Sequence, residues 1–570
     1  MRDQIQSTID SVVRSLYGPQ KPATLSHPDA QFGDYATNVA LVVGAKLGKN
    51  PSEIAQSIVD KFHQNLPPEI AQISVNNNFI NIKLSDLALM TAAQNAAEYR
   101  PNTYSNQVVV AEYSDPNPFK MLHVGHLYTS VLGDSIANLL ELGGGQVHRV
   151  NFGGDVGLHV AKSLWSMLND SPDGSDSEAA ALKVVNSLDI KALSQKAAWL
   201  SDHYIRGSAE YELDEPETKK AIQELNKQIY AIQEHDMHDT SLAQIYWTTR
   251  QWSYDYFAAF YREIDIHPFE KFYPESQTAP IGVKTVMEQL KKGVYELSQG
   301  AVIFKGEKFG LHTRVFINSN GLPTYETKDV GLILLKWKDF KFDKSIIITD
   351  SNQAEYQRVV QKSIEQFMPE LARGSSHITH GSVKLKGGVK MSSRSGNVVS
   401  AADVLQATAK ANKELVGDSA KLTTLGAIKY AFLKHRPGAD IVYDPEESVS
   451  LVGNSGPYLQ YAYARAQSIL AKVKAGDEPN TDVDLNPDEL SLVRKISQYP
   501  DALDRAVEDL MPHHISTYLY SLAQIFNSFY ENNRVAGDPR EALRAKMVSS
   551  YATTLKSGLE LLHISVVDHL

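Results

Sequence analysis

The feature that most limits how this chain can fold is the alternation of strand-like runs with helical patterns in its middle part. A β-branched run, QVVVAEYS, opens this part, and long stretches with helical periodicity separate it from two further strand-like runs, GGQVHRVNF and KSIIITD. Such alternation is typical of α/β proteins, in which helices cover a parallel sheet. We therefore predict a doubly wound, Rossmann-type parallel sheet.

The pattern changes on both sides of this part. The N-terminal stretch has an amphipathic opening helix and the alternating run ISVNNNFINIKL, which favours a small α+β domain. In the last third, strand signals nearly vanish and helical periodicity dominates, as in HISTYLYSLAQIFNSFY. We predict an α+β domain over 1–102, a catalytic domain over 103–400 with an inserted helical segment near 166–261, and an all-α bundle over 401–570.

Composition excludes several classes of protein. The 570 residues contain no Cys, which excludes a disulfide framework, a thiolate zinc site and a Cys nucleophile, and we expect no protein-bound structural metal. The N-terminus has no uninterrupted apolar stretch, and no later run approaches the ~20 apolar residues of a membrane span, so we expect a cytoplasmic protein without membrane contact. The net charge of -11 argues against a generally basic nucleic-acid surface, so any RNA contact is expected to be local.

The most informative segment is AEYSDPNPFKMLHVGHLYTSVLGDSIANLLE. A strand is predicted to end near Glu112, and His123, Val124, Gly125 and His126 then open a helix, whose N-terminus favours anions. Gly125 would let a nucleotide approach the backbone, while His123, His126 and Lys120 would hydrogen-bond a phosphate as charge builds on it. An isolated HxGH is equally compatible with ordinary packed or solvated histidines.

A second segment, GSVKLKGGVKMSSRSGNVVS, follows the alternating part. Its glycines predict a flexible loop, and Lys390, Ser392, Ser393 and Arg394 supply donors for a polyphosphate. Alone, such a cluster is more often a basic surface loop. The order of the two segments favours a nucleotide site, because an early HxGH and a late KMSSR would meet at the carboxyl edge of one sheet.

HVGH and KMSSR resemble the HIGH and KMSKS signatures of class I aminoacyl-tRNA synthetases. The surrounding sequence resembles arginyl-tRNA synthetases along essentially the whole chain, in FGDYATN, FINIKL, GGDVGLH, LPTYETKDVGL and NSGPYLQYAYAR and in a PNxxKxxHxGH stretch. The resemblance implies Lys120, His123, His126, Lys390 and Arg394 as catalytic residues. It implies an ATP site made by the two signatures, namely His123, Gly125, His126, Lys390, Met391, Ser392, Ser393 and Arg394.

The same resemblance implies a pocket for the substrate arginine, formed by Glu112, Asn117, Tyr325, Asp329 and Gln353. Carboxylates are sensible partners for a guanidinium, whose five donors form a fixed fork. Asn117 would suit the α-amino or α-carboxylate end of the substrate. Taken singly, Tyr325 and Asp329 could as well be a half-buried aromatic and a solvated charge.

Three departures from the family pattern stand out. Ser393 replaces the lysine that most class I enzymes carry at the fourth position of KMSKS, a loss that the family is thought to make good with the lysine before HIGH, here Lys120. The family's usual GPGF is NNNF in this chain. The Trp and Gln of its GDWGTQ segment are Val156 and His159.

Aromatic residues in the last third suggest an RNA contact. Tyr458, Tyr461 and Arg465 share one face of a predicted helix, where aromatic rings beside an arginine could stack on unpaired bases, although a core stripe is the commoner reason for such spacing. The resemblance places anticodon contacts at these positions and at Tyr530, and contacts to the tRNA elbow at Tyr35 and Phe79.

The resemblance therefore implies an arginine-tRNA ligase. It would use ATP with Mg²⁺ as a substrate complex, form arginyl-adenylate, and transfer arginine to the terminal adenosine of tRNA(Arg). We expect the protein to be a monomer. A small-molecule nucleotidylyltransferase also uses HxGH but leaves the helical last third unexplained. A non-catalytic RNA-binding paralogue and a class I enzyme with another amino-acid specificity are further alternatives.

Overall fold

The computed structural model describes residues 2–170, 177–386, 399–412, 417–473 and 484–567. Its strands are β1 (Leu25–Ser26), β2 (Tyr35–Thr37), β3 (Ile70–Asn76), β4 (Phe79–Leu84), β5 (Val108–Glu112), β6 (Gln146–Gly153), β7 (Lys271–Pro274), β8 (Glu296–Ser298), β9 (Ala301–Phe304), β10 (Arg314–Ile317), β11 (Lys344–Asp350), β12 (Ser375–His380), β13 (Val383–Leu385) and β14 (Ile441–Tyr443).

Its α-helices are α1 (Arg2–Tyr17), α2 (Val39–Leu47), α3 (Pro51–His63), α4 (Asp86–Asn95), α5 (Val124–Leu142), α6 (Leu158–Leu168), α7 (Glu178–Leu188), α8 (Leu193–Glu212), α9 (Pro216–Glu234), α10 (Ser241–Glu263), α11 (Glu275–Lys291), α12 (Tyr325–Phe340), α13 (Ala354–Glu365), α14 (Pro369–Gly374), α15 (Ala401–Ala411), α16 (Gly417–Leu433), α17 (Pro445–Ser448), α18 (Gly456–Leu470), α19 (Pro487–Ser497), α20 (Tyr499–Asp509), α21 (His513–Asn532) and α22 (Glu541–Leu561). Short 3₁₀ turns lie at Ala30–Phe32, Ala96–Glu98, Gly306–Phe309 and Ser351–Gln353.

The central feature is a sheet of five parallel strands in the order β12-β11-β5-β6-β7. The chain enters at β5, adds β6 and β7 on one side, and then returns to add β11 and β12 on the other. The strand order therefore reverses between β5 and β11, and ligands of such sheets bind outside the carboxyl ends of the strands at that point. The predicted Rossmann-type parallel sheet is confirmed.

Apolar packing holds this sheet and its helices in place. One core joins the sheet to α11, α12 and α13 through Val110, Val150, Val286, Val330 and Val359. A second core lies within the helical stretch α6 to α10 and includes Leu164, Ile229 and Tyr246. Phe119, from the loop between β5 and α5, is buried in this second core, so the loop is fixed to the helical stretch.

The chain forms two compact units, each built from distant segments. The first contains Met1–Tyr99, Tyr461–Leu503 and Tyr518–Gly558, and the second contains Arg100–Gln460, Asp504–Thr517 and Leu559–Leu570. The predicted three-domain division stays a prediction. The helical character of the last third is confirmed, although the three-residue strand β14 pairs in parallel with β13 there, too short a strand to leave a periodic signal.

The first unit contains a four-stranded antiparallel sheet in the order β1-β2-β4-β3. Asn77 and Asn78 form the two-residue turn between β3 and β4, with φ of 48° and 67°. Two left-handed residues make the turn that hairpins favour, and Asn tolerates this conformation better than most residues. The NNNF departure is therefore compatible with a tight hairpin.

Long-range hydrogen bonds join the N-terminal sheet to C-terminal helices within the first unit. Arg494 of α19 donates from Nε to Asp34 at 2.5 Å, and Leu485 donates its backbone N–H to Asp86 at 2.9 Å. Among the described residues, no helix combines the length and the apolar character that crossing a membrane requires.

Candidate active site

The two histidines of HVGH cap the start of α5 reciprocally. The backbone N–H of Gly125 donates to Nδ1 of His123 at 3.1 Å, and the backbone N–H of His123 donates to Nδ1 of His126 at 3.2 Å. Because each Nδ1 accepts, the proton of a neutral ring must lie on Nε2. The cap hydrogen bonds use only Nδ1 of each ring, so the Nε2–H of each neutral ring is available as a donor to a ligand.

A glycine is required between these histidines for a local reason. A Cβ at position 125 would lie 2.8 Å from Cε1 and 2.9 Å from Nδ1 of the His123 ring. Any side chain there would displace the capping ring. The Gly of HxGH thus keeps His123 in its capping position, and the predicted approach of a nucleotide to its backbone stays a prediction.

Both histidines are held neutral. Loss of hydration, and next the ring of His123, lower the pKa of His126 well below its usual value. Loss of hydration and the Lys120 ammonium lower the pKa of His123. The helix start is therefore a pair of neutral donors at pH 7, with rings only 3.8 Å apart.

The loop between β5 and α5 has an unusual backbone that is pinned from outside. Ser114, Asp115 and Phe119 have positive φ values of 76°, 44° and 68°, a conformation rare for residues other than Gly. Asp115 accepts from the backbone N–H of Phe152 at 2.8 Å, at the end of β6. Neighbouring β6 thus holds the loop in a shape that local preference would not choose.

Asn117 is held by the same neighbouring strand end. Its Oδ1 accepts from the backbone N–H of Gly154 at 2.9 Å. A Cβ at position 154 would collide with this oxygen and would crowd His159 and Glu275, so the close approach needs a glycine. With Oδ1 engaged, the amide Nδ2 is the group that Asn117 can offer as a donor.

We call three carboxyl groups the acidic pocket. They belong to Glu112 at the carboxyl end of β5, Asp115 in the loop after it, and Asp329 in α12. Glu112 and Asp329 are buried. Burial, and next the Glu112 carboxylate, raise the pKa of Asp329 well above its usual value, and the same two causes raise that of Asp115. The charged forms of Asp115 and Asp329 are therefore disfavoured in the protein alone.

One buried cation partly offsets this charge. Lys336, on α12, forms an ion pair with Glu112 Oε2 and donates to Ser345 Oγ at 3.0 Å. Lys336 lies seven residues after Asp329, on the same helix face. The sequence reasoning missed Lys336, although this spacing was a signal that could have found it.

The remaining predicted pocket residues lie around α12 and α13. Tyr325 begins α12, is 55% exposed, and lies under the Lys328 ammonium, whose nitrogen is 5.1 Å from the ring centre. Lys328 is buried and pairs with Glu275 at 2.5 Å. Gln353 ends the turn after β11 and accepts from the Tyr356 hydroxyl at 3.3 Å.

The ammonium of Lys120 lies over an aromatic ring of the helical stretch α6 to α10. Its Nζ lies 4.1 Å from the centre of the Tyr204 ring in α8. A cation over an aromatic face is attracted by the ring's electron density. Tyr204 carried no sequence signal, because its relation to Lys120 exists only in the folded chain.

The predicted KMSSR residues Lys390, Met391, Ser392, Ser393 and Arg394 lie outside the described residues. The structure describes the chain again from Val399, which lies beside HVGH. Val124 donates its backbone N–H to Val399 at 2.9 Å, and Ala401 donates to Leu122 at 2.9 Å. The C-terminal flank of KMSSR is thus hydrogen-bonded to the segment around His123.

The GGDVGLH segment is internal support. Asp155 is fully buried and accepts from Ser276 Oγ at 2.7 Å and from Arg250 Nε at 2.9 Å. Val156 lies in the core of the helical stretch. The His159 ring hydrogen-bonds the Gly154 carbonyl at 2.6 Å, and burial lowers its pKa to about 3. The two departures in this segment therefore fill packed positions.

The predicted RNA contacts differ in exposure. Arg465 lies with its guanidinium carbon 4.8 Å from the Tyr461 ring centre and 5.8 Å from that of Tyr530, and Tyr530 is 41% exposed. Tyr458 is half-buried, one turn earlier on α18. Phe79 is 39% exposed at the hairpin, whereas Tyr35 is only 6% exposed and its ring contacts that of His27.

Comparisons with known proteins cover the whole chain. Family models match at residues 1–84 (arginyl tRNA synthetase N terminal domain), 88–444 (tRNA synthetases class I (R), catalytic domain) and 459–570 (DALR anticodon binding domain). An arginine-tRNA ligase of Flavobacterium psychrophilum is 28% identical over 92% of this chain and 90% of its own length. One from Bacteroides thetaiotaomicron is 27% identical over 99% of each chain.

Solved structures agree in fold. Thermus thermophilus arginyl-tRNA synthetase superposes with a TM-score of 0.78 at 24% identity and covers 100% of both chains. The Plasmodium falciparum arginyl-tRNA synthetase superposes with the same TM-score of 0.78 at 21% identity, covering 100% of this chain and 99% of its own.

Proposed function

The chain belongs to the arginyl-tRNA synthetase family, and on that premise we propose that the carboxyl edge of its parallel sheet joins L-arginine to tRNA(Arg) at the expense of ATP. The observation that carries this proposal is the acidic pocket, where burial and Glu112 raise the pKa of Asp115 and Asp329 and so disfavour their charged forms unless a cation binds. A guanidinium supplies that charge together with five hydrogen-bond donors.

The first step is attack of the arginine carboxylate on the α-phosphorus of ATP. An oxygen–phosphorus bond forms to the carboxylate, the bond to the β-phosphate breaks, and pyrophosphate leaves. Magnesium enters as part of the MgATP substrate. His123 and His126 donate from Nε2 to the phosphate oxygens, where charge increases in the transition state, and Lys120 adds positive charge. The reciprocal capping supports these roles, because it orients both donors before ATP binds.

Residues of the KMSSR segment complete the phosphate site in this proposal. Lys390, Ser392 and Arg394 would contact the β- and γ-phosphates. The hydrogen bonds of Val399 and Ala401 to the chain around His123 support this role. They hold residues 399–401, which come shortly after KMSSR in the chain, beside the helix start.

In the second step the 2′-hydroxyl of the terminal adenosine attacks the activated carbonyl carbon. The ester bond to tRNA forms, the bond between the carbonyl carbon and the phosphate oxygen breaks, AMP leaves, and the hydroxyl proton is released. On the RNA side, Tyr461, Arg465 and Tyr530 would stack on anticodon bases, supported by their clustered rings and the exposure of Tyr530. Tyr458 and Phe79 are weaker candidates, and Tyr35 would need to become exposed first.

Arginine would bind with its side chain toward the acidic pocket. Asp329 and the second oxygen of Glu112 would accept from the guanidinium, since Glu112 Oε2 is engaged by Lys336. Asn117 would donate from Nδ2 to the substrate carboxylate, because its Oδ1 already accepts from Gly154. Tyr325 and Gln353 would line the rim.

An aminoacylation assay offering all twenty amino acids with total tRNA tests the proposal. We expect arginine alone to be incorporated, with AMP and pyrophosphate as products. Incorporation of another amino acid would overturn the assignment. Failure to incorporate any, with RNA binding intact, would favour a non-catalytic paralogue. Sedimentation of the same preparation would test the predicted monomer.

A further inference from the structure

Three potential metal ligands meet beside the middle of α5, at residues that the proposed reaction does not use. Asp134 of α5 is buried, and it accepts from Nδ1 of His267 at 3.1 Å and from Nδ1 of His563. His267 follows α10 and His563 follows α22. One ligand atom from each of the three residues lies within 4.8 Å of the others.

His563 adopts a backbone conformation that its residue type does not favour. Its φ is 52°, in the left-handed region just after the end of α22, where glycine is the usual residue. A non-glycine residue there costs free energy, which a useful side-chain contact can offset. The contact of His563 is with Asp134, which indicates that the imidazole matters at this position.

The ligand set suits a divalent transition metal. Two imidazoles and one carboxylate are ligands of zinc, and three protein ligands leave a position for water. The side chains of His267 and His563 are 43% and 22% exposed, so an ion could reach them from solvent. Each ring could bind through Nδ1 after moving its proton to Nε2, which requires no change of charge on the imidazole.

Two basic side chains lie near this cluster and would weaken binding of a cation. Arg149 Nε is 3.6 Å from Asp134 Oδ1, but the same guanidinium also pairs with Glu141 and donates to Asn138 at 2.8 Å. Lys429 donates to the carbonyls of Asp265 and His563 at 2.6 and 2.7 Å. Neither side chain competes for an imidazole nitrogen, but the positive charge of both repels a cation. We therefore expect moderate rather than very tight affinity.

We propose that Asp134, His267 and His563 form a binding site for a divalent transition-metal ion, with Zn²⁺ as the best match. The site lies outside the predicted active site and departs from the expectation of no structural metal, which followed from the lack of Cys alone. His267 and His563 are 133 and 429 positions from Asp134 in the chain, so no local sequence motif indicates the site.

The ion would fasten the C-terminal segment to α5. That segment already contacts the helix, since Ser135 and Asn138 both donate to the Leu561 carbonyl at 3.2 Å. A metal bond to His563 would strengthen this docking. The same α5 carries His123 at its start, so the metal would stabilise a helix on which the proposed chemistry depends.

The test is calorimetric titration of the full-length, chelator-treated protein with Zn²⁺ alone, paired with thermal unfolding. We expect one saturable site and a rise in Tm with bound Zn²⁺. His563→Asn is the key variant, because Asn tolerates the left-handed conformation and can still donate to Asp134 but is a poor zinc ligand. It should bind Zn²⁺ at least about tenfold more weakly and lose most of the Tm rise.

Two further variants keep the result interpretable. His267→Asn should show the same loss. His238→Gln removes an exposed histidine that also pairs with a carboxylate, that of Asp236 at 3.0 Å, and it should bind Zn²⁺ like the parent protein. The proposal is overturned if the parent shows no saturable binding, or if His563→Asn and His267→Asn bind Zn²⁺ as well as the parent does.

Discussion

The helix start and the acidic pocket serve one proposed reaction but differ in how complete they are without substrate. At the helix start, His123 and His126 accept from backbone N–H groups through Nδ1, and their lowered pKa values keep both rings neutral at pH 7. In the acidic pocket, Asp115 and Asp329 have raised pKa values because burial and Glu112 disfavour their charge. One region is organised in advance, whereas the other needs a cation to become stable in its charged form.

This difference has a physical reason. Phosphate binding gains most from donors that need no rearrangement when charge develops. Recognition of a cation gains from carboxylates that are poorly compensated before it arrives, since a neutral analogue then leaves them unpaired. We therefore expect the helix start to control rate and the acidic pocket to control selectivity.

The largest expected effect comes from removing a phosphate donor. His126→Ala should lower the rate of arginine-dependent pyrophosphate exchange by roughly 100-fold or more, about 2.7 kcal/mol, because the lost donor acts on charge that forms in the transition state. The KM for arginine should change little. Gly125→Ala, which displaces the His123 ring, should also slow exchange. A raised arginine KM with an unchanged rate in either variant would show that these residues bind arginine and not the phosphate.

A second change acts on selectivity. Asp329→Asn should lose roughly 2 to 4 kcal/mol of discrimination between arginine and uncharged citrulline, since a charge-assisted hydrogen bond becomes a neutral one. Competition in the exchange assay measures this ratio. Asp339→Asn, on the same helix but paired with Lys271 at 2.5 Å, is the matched control. Equal selectivity in Asp329→Asn and the control would locate the guanidinium elsewhere.

The two regions should respond oppositely to pH. A raised carboxyl pKa in the folded state contributes stability at low pH that is lost as pH rises through that pKa. Asp329→Asn should therefore raise Tm at pH 8 and change it less at pH 5. A lowered histidine pKa contributes stability above about pH 6.5 that is lost on acidification. His126→Gln should therefore gain Tm relative to the parent mainly below pH 6.5. If the Tm of both variants changed with pH in the same direction, the helix start and the acidic pocket would not differ in the way we propose.

The smallest expected effect concerns Tyr204. If its ring positions Lys120, Tyr204→Ala should slow exchange by an amount equivalent to about 0.5 to 2 kcal/mol, and Tyr204→Phe, which keeps the ring, should lose less. In a Lys120→Ala background, Tyr204→Ala should have no further effect on the rate. Additive losses in the double variant would mean that Tyr204 supports the fold and not Lys120.

The same two regions differ in how far the sequence predicts them. The order of strands and helices predicts the parallel sheet, and HVGH predicts the helix start, because capping joins residues only three positions apart. Pairing of Glu112 with Lys336 joins residues 224 positions apart, and contact of Lys120 with Tyr204 depends on how α8 packs. The burial of Tyr35 likewise depends on how β2 packs in the N-terminal sheet, which the motif FGDYATN does not indicate. Contacts between distant segments are settled by tertiary packing, which local patterns do not encode.

The most direct test of the unbalanced pocket is the number of protons exchanged when arginine binds. Titration calorimetry in buffers of different ionisation enthalpy measures this number between pH 5 and pH 8. Because guanidinium favours the charged form of carboxyl groups whose pKa is raised, we predict proton release on binding, reduced in Asp329→Asn and unchanged in Asp339→Asn. Arginine binding without proton release at any pH in this range would contradict it.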